Sequence, residues 1–435
     1  MINSRINNSF SEYGSILYFV DNYDSSIQIE NCVFSNNSGY FTLIDIGTSD
    51  LMITNTILEN NTNNLFSVIS ANLVLIDSKI NNHICFASFP GCILFIEETS
   101  LANIKSSSFE NIISEIEEGN IYVDSSIVYL DSISMKGMQT PKKGSCFSSY
   151  SSSLYFVDSN FYNYEINCIN SYQSNVILNN SIFDNSENLK NLQIIFDYGS
   201  FYCSSCNQIS IYNTSFIKNL NVIDGSALYV VANENDKLND VFIENSIFFG
   251  NNASGKGTIY IYNQNFSISS SYFQNNIVQR GGGIFCDNDG FIIKKKNLKV
   301  IYMFKVSIIM KMKIFNNIFI KNTAIIEGGA IKWNDEMPDL KNNSFLNNFA
   351  VYGENIACFP IRIILNLYNN SNSSLENIIY PNSDEILWPN DHETVSLINI
   401  SSGNPIPYIL QFQILDVYGK IVNLTEGYKF FLAIK

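Results

Sequence analysis

Short alternating runs of apolar and polar residues recur along the chain. Ser15-Ile-Leu-Tyr-Phe-Val20, Leu73-Val-Leu-Ile76, Ser126-Ile-Val-Tyr-Leu130, Leu154-Tyr-Phe-Val157 and Thr258-Ile-Tyr-Ile-Tyr262 are four to six residues long. They are rich in β-branched and aromatic residues and are bounded by Asn, Asp, Ser and Gly. That pattern predicts strands joined by turns. No segment offers ten residues of helical periodicity. The chain is expected to be all-β.

A longer period orders these strands. In four copies an aromatic residue is followed at +3 by Asn and at +9 by Gly: Phe216/Asn219/Gly225, Phe248/Asn251/Gly257, Phe273/Asn276/Gly282 and Phe319/Asn322/Gly328. Ala recurs at +5 (Ala253, Ala324, Ala350), and a small or β-branched residue at +11 (Ala227, Ile259, Ile284, Ala330). Looser copies reach back to the start of the chain. They place anchors at 10, 34, 58, 80, 109, 135, 161, 183, 216, 248, 273, 319 and 345, mostly 22 to 33 residues apart. Self-similarity at that period marks a solenoid. Two or three short strands per repeat fit one coil of a parallel β-helix. Thirteen coils at the strand-to-strand distance would make a rod roughly 60 Å long.

Each position then has an expected task. The anchor side chains should point inward and stack on their neighbours above and below. The Asn at +2 or +3 should sit at a turn, because Asn tolerates the left-handed region. Stacked Asn can also form amide ladders. The Gly at +9 should serve the next corner.

Two stretches break the period. The gap from Phe273 to Phe319 is 46 residues, and the excess lies in Lys294–Lys313, which holds seven of the 25 basic residues. Residues 294–313 are read as a basic insert. Either it is a loop thrown out from the rod towards a membrane or an acidic partner, or it is a translated intron of an AT-rich gene. The intron reading is preferred, since the stretch uses Lys, Ile, Phe, Met, Tyr and Asn heavily. After Cys358 the repeats stop and five of the eight prolines cluster. Ile361–Leu367, Val395–Ile400 and Tyr408–Leu415 look like longer antiparallel strands. Two domains are expected: a β-helix over 1–358, and a β-sandwich-like module over 359–435 that is cut short.

Composition narrows the function. A hydrophobic share of 46% with 14% aromatics is a folded chain's composition. A net charge of −15 argues against nucleic acid and anionic membrane as partners. The opening Met1-Ile-Asn-Ser-Arg-Ile-Asn-Asn has no apolar core and leads straight into a repeat, so a fragment or a mis-assigned start of a longer protein is expected. No apolar run is long enough to span a bilayer as a helix.

No catalytic set emerges. Polysaccharide-cleaving β-helices need paired carboxylates with His or Arg, or Ca²⁺-binding Asp clusters beside a base. The two histidines are His83, placed in a repeat turn, and His392, in the terminal module. Asp287-Asn-Asp289 and the loop with Glu234, Asp236 and Asp240 are read as plain corners rather than Ca²⁺ sites. Nine cysteines leave at least one unpaired. Cys203-Ser-Ser-Cys206 has no second CxxC or His pair, which disfavours zinc. Cys146 and Cys168 each lie 15 residues before an anchor and should stack on successive coils, bonded or not. Twelve Asn-x-Ser/Thr sequons, among them Asn213 and Asn342, permit glycosylation. No residue is therefore assigned a catalytic, cofactor-binding or metal-binding role.

The Phe319-x-x-Asn322-x-Ala324 phrase followed by Gly328-Gly-Ala-Ile331 resembles the FxxN and GGAI repeats of chlamydial polymorphic outer-membrane proteins. The Asn-rich repeats ending in a Pro-bounded β module are similar to large pectin-lyase-fold surface proteins of ciliates. The resemblance covers roughly residues 1–358. It implies a right-handed parallel β-helix, an extracellular or cell-surface location and a structural or adhesive role. Membrane attachment would come through parts outside this chain. The leading expectation is a non-enzymatic surface rod whose partners are other surface proteins or glycans. The alternative is a polysaccharide-binding or polysaccharide-cleaving β-helix, which a groove lined by stacked aromatics and carboxylates would favour.

Overall fold

The computed structural model describes residues 1–11, 16–19, 26–40, 42–86, 90–98, 100–115, 119–139, 145–164, 167–186, 196–220, 222–232, 240–287, 311–334 and 337–358, and the backbone of 291–293, 304–306, 362–369, 374–379 and 408–415. These residues hold strands and turns and no helix. Three parallel sheets of 13, 13 and 12 strands run along a solenoid. Each coil contributes one strand to each sheet in turn.

The anchor sheet runs from Arg5–Asn7 to Ser344–Leu346. Its register lines up Phe34, Leu58, Ile80, Phe109, Met135, Phe161 and Phe183 in one column. Phe216, Phe248, Phe273, Phe319 and Phe345 continue it. From Phe161 onward the rings stack at 4.6–5.3 Å with interplanar angles of 3–13°. Twelve of the thirteen expected anchors fall in this column. Phe10 does not: it is 64% exposed, and Ile6 pairs with Phe34 in its place. The corner decides this, because Asn8 and Asn36 share a positive φ and so fix the register two residues after Ile6 and Phe34.

The second sheet alternates along most of its strands. Leu154 and Phe156 point inward while Ser153, Tyr155 and Val157 face out. It runs from Ser26–Glu30 to Asp339–Lys341. The third sheet, Leu17–Phe19 to Ile356–Ala357, completes the coil. Core residues from all three sheets form one continuous apolar cluster down the rod.

Asn and Ser are abundant because they satisfy the corners. The two tasks expected of one Asn fall to two neighbouring positions. The +2 residue takes the left-handed corner, as at Asn36, Asn60, Asn111, Asn163 and Asn275. The +3 Asn turns inward and builds a ladder. Asn219 Nδ2 donates to Asn251 Oδ1 at 2.8 Å, Asn251 to Asn276 at 3.0 Å, Asn276 to Asn322 at 2.8 Å and Asn322 to Asn348 at 3.1 Å. Two residues before most anchors a hydroxyl spine does similar work: the backbone N–H of Thr56 donates to Ser78 Oγ, and that of Ser78 to Ser107 Oγ. These bonds supply the donors and acceptors that buried corner amides need.

In the long gap, Phe291–Ile293 pairs antiparallel with Phe304–Val306. The rest of 294–310 lies outside the described residues. Lys311 to Lys313 were counted with the insert but belong to the rod: Met312–Phe315 continues the alternating sheet, and Met312 is buried. Beyond Cys358, Arg362–Asn369 is flanked by Ser374–Ile379 and Tyr408–Leu415 in one antiparallel sheet. Val395–Ile400, expected as a further strand, lies outside the described residues. A sandwich needs a second sheet, and the described strands make one.

Candidate functional site

Outward positions of the alternating sheet stack as regularly as the core. Counting back six residues from successive anchors gives Val74, Asn103, Tyr129 and Tyr155, and the register pairs them in that order. Counting back four gives Ile76, Lys105, Asp131 and Val157, again in one column. The two columns line an open groove of about 440 Å³. That size suits a small ligand or a short stretch of polymer.

The floor of the groove is aromatic. Tyr129 and Tyr155 stack at 4.5 Å with an interplanar angle of 14°. Tyr129 is 41% exposed, so its ring reaches solvent. One ring face is covered by Tyr155 on the next coil. Asn103 holds the equivalent position on the coil before. In the neighbouring column, Lys105 Nζ and Asp131 Oδ2 form an ion pair at 3.2 Å. Ser132 Oγ donates to Asp131 Oδ1 at 2.7 Å. That bond, together with Lys105, holds the Asp131 carboxyl below its ordinary range.

Asp131 is the single carboxylate among the described lining residues. Glycoside hydrolysis needs two, one of them held protonated, and Asp131 is biased the other way.

A second cluster lies where the third sheet meets the glycine corners. Lys256 pairs with Arg280, Arg280 with Glu327 and Glu327 with Tyr352 in a column beside Tyr202, Tyr229, Tyr260 and Phe285. The corner glycines bring the two columns together. Gly257 has φ +55° and Gly328 φ +69°, and a Cβ at Gly328 would meet the Ile331 carbonyl at 2.6 Å. Lys256 Nζ lies 3.2 Å from Asp287 Oδ2 and 5.1 Å from the centres of the Tyr260 and Phe285 rings. Arg280 and Lys332 both pair with Glu327. Burial raises the Asp224 carboxyl, pushes the Tyr202 hydroxyl up to about 12 and lowers Lys332. Each base in this cluster already has a carboxylate, and Tyr260 and Phe285 are buried. It reads as a structural seam. Asp287 accepts from Asn334 Nδ2 at 2.8 Å and from Tyr260, which fills the oxygens considered for Ca²⁺. Asn288 and Asp289, like Glu234 and Asp236, lie outside the described residues, and so does His392.

His83 is not in a turn. It lies in strand Lys79–Cys85, buried, at a position where the next coils carry Ile112 and Met138. Its Nε2 donates to the Asn63 carbonyl at 2.6 Å. Cys85 and Cys92 form a disulfide with a Cα–Cα distance of 5.6 Å, and Cys203 and Cys206 form another. Cys146 and Cys168 lie on adjacent coils as expected and are both free thiols in the core. Burial, with Cys146 beside it, pushes the Cys168 thiol up.

No protein-family model matches the chain. The chain is similar to a transmembrane domain-containing protein of Dictyostelium discoideum, 24% identical over 500 residues, which include 98% of this chain. It spans 28% of that relative's length. Among solved structures it overlaps the periplasmic alginate epimerase AlgG, with a TM-score of 0.30 and 9% identity over 74% of each chain. It also overlaps the A-module of the mannuronan C-5 epimerase AlgE6 of Azotobacter vinelandii, with a TM-score of 0.23 and 10% identity over 82% of this chain and 88% of that one. Overlaps of that size carry no chemistry from one chain to the other. Among the described residues no helix is long and apolar enough to cross a membrane.

Proposed function

We propose that this rod is an extracellular or cell-surface structural element that holds polysaccharide chains without cleaving them. The groove carrying Tyr129, Tyr155, Asn103, Lys105 and Asp131 is the observation behind this reading. Sugar rings stack their C–H faces on aromatic rings, and their hydroxyls take hydrogen bonds from amide and charged neighbours. The coil repeat of about 4.8 Å is close to the length of one pyranose unit, so a glycan laid along the rod meets equivalent positions on successive coils.

Other features support the setting. Disulfides persist in oxidising compartments, and Cys85–Cys92 and Cys203–Cys206 are both bonded. The excess of negative charge keeps the rod off nucleic acid and acidic lipid. The transmembrane domain of the Dictyostelium relative supports a membrane-anchored context. Glycans, or glycans carried on other surface proteins, are the partners this groove suits.

Co-sedimentation with insoluble polysaccharides tests the reading. The chain should pellet with at least one of them, the Tyr129→Ala/Tyr155→Ala variant should stay in solution, and no new reducing ends should appear. Equal retention of the variant would remove the groove from the account. Release of reducing ends by the wild type would replace binding with catalysis.

A further inference from the structure

His83, Cys85 and Cys92 bring one nitrogen and two sulfur atoms within 4.8 Å of one another, and all three residues are buried. Nothing in the groove uses them. The imidazole occupies a core position that Ile112 and Met138 fill on the following coils. A core histidine needs both ring nitrogens satisfied, and this one satisfies a single nitrogen. Nε2 meets the Asn63 carbonyl at 2.6 Å, which fixes the proton on that atom. Nδ1 is left as a bare lone pair, buried and with no hydrogen-bond partner. An unmet buried acceptor is a standing cost to the fold, and the Cys85 and Cys92 sulfur atoms lie within 4.8 Å of a nitrogen of the same ring.

We propose that, when the Cys85–Cys92 disulfide is reduced, His83 Nδ1 and the two thiolates bind a soft metal ion of the Zn²⁺/Cu⁺ class. Two thiolates and an imidazole are the donor set such ions select. The Nε2 bond to Asn63 orients the ring as second partners of metal-bound histidines do. The disulfide and the metal are thus alternative ways to close the same coil corner. Reduction by a phosphine breaks the S–S bond with two electrons and two protons while the phosphine takes oxygen from water. The ion then displaces the two thiol protons.

The test uses the full chain, reduced with a phosphine under anaerobic conditions and titrated with Co²⁺ alone. One equivalent should give a thiolate-to-cobalt charge-transfer band, which Zn²⁺ then abolishes. The chain with both disulfides intact, Cys85–Cys92 and Cys203–Cys206, should give none. Cys85→Ser/Cys92→Ser should lose the band, and His83→Gln should weaken binding at least about tenfold. In the wild type, bound metal should slow alkylation of Cys85 and Cys92 and leave Cys146 and Cys168 unchanged. An unchanged band in either variant would overturn the proposal. So would no band in a reduced chain whose two thiols alkylate freely, or equal protection of all four cysteines. The alkylation readout needs no variant, so a misfolded mutant does not decide the matter.

Discussion

Asn276 makes four side-chain hydrogen bonds in the middle of an apolar rod. Its Oδ1 accepts from the backbone N–H and the Nδ2 of Asn251, and its Nδ2 donates to the Phe248 carbonyl and to Asn322 Oδ1. Removing it orphans groups on both neighbouring coils. Asn276→Ala should therefore cost about 3 kcal/mol, more than an average buried hydrogen bond. Asn276→Asp should do no better, because a carboxylate cannot donate to Phe248 or Asn322. Hydrogen exchange of the adjacent coils is the suitable readout, since repeat arrays need not unfold in two states. His83 gives a second residue-scale expectation. Burial lowers its pKa to about 4 in the folded chain, against 6.5 for an unperturbed imidazole. The unfolded chain binds the extra proton between those values, so stability is complete above about pH 6.5 and falls as pH drops towards 4, by up to about 3 kcal/mol. Replacing His83 with Phe should flatten that part of the pH profile relative to wild type, in denaturation midpoints measured side by side.

At the scale of the element, corners and strands depend on each other. Gly328 needs its positive φ, and a Cβ there would sit 2.6 Å from the Ile331 carbonyl oxygen. Gly328→Ala should cost about 1–3 kcal/mol, with the loss in protection confined to the coils on either side. Phe216 lies between Phe183 and Phe248 in the stack, so Phe216→Ala should open a cavity and cost about 3–5 kcal/mol. Much of this was legible in the sequence. The distance from the alternating strand to the anchor is constant, so the inward set, the Ser and Thr spine at −2 and the columns at −6 and −4 can be counted from any anchor. Tyr129 and Tyr155 were readable on that ruler, as 135 and 161 less six, although composition and motifs left the site unassigned. The third sheet was readable as strands, at Ser15–Val20 and Thr258–Tyr262, but not as columns counted back from the next anchor. Its connection to the next strand varies in length, so Tyr202, Tyr229 and Tyr260 stand at different distances from Phe216, Phe248 and Phe273. His83 was misplaced for a similar reason, because strand Lys79–Cys85 runs past the corner at Asn82 and carries the imidazole back into the core. Phe10 misled because an aromatic beside Asn and Ser imitates an anchor, while only the corner at Asn8 sets the register.

Over the described coils to Cys358 the chain is a rod in which core and corner residues repeat and the outward face varies. Variation is where recognition belongs, and the face between Val74 and Val157 combines a groove, a ring stack and an ion pair. A rod that tracks a polymer coil by coil should gain affinity with each added sugar until the groove's four coils are filled, and then stop. Calorimetric titration with oligosaccharides of increasing length, drawn from a polysaccharide that co-sediments with the chain, tests this directly. Affinity should rise to a plateau near four units, and Tyr129→Ala should weaken it about tenfold, the equivalent of ~1.4 kcal/mol. Affinity independent of length, or unchanged in Tyr129→Ala, would contradict the account.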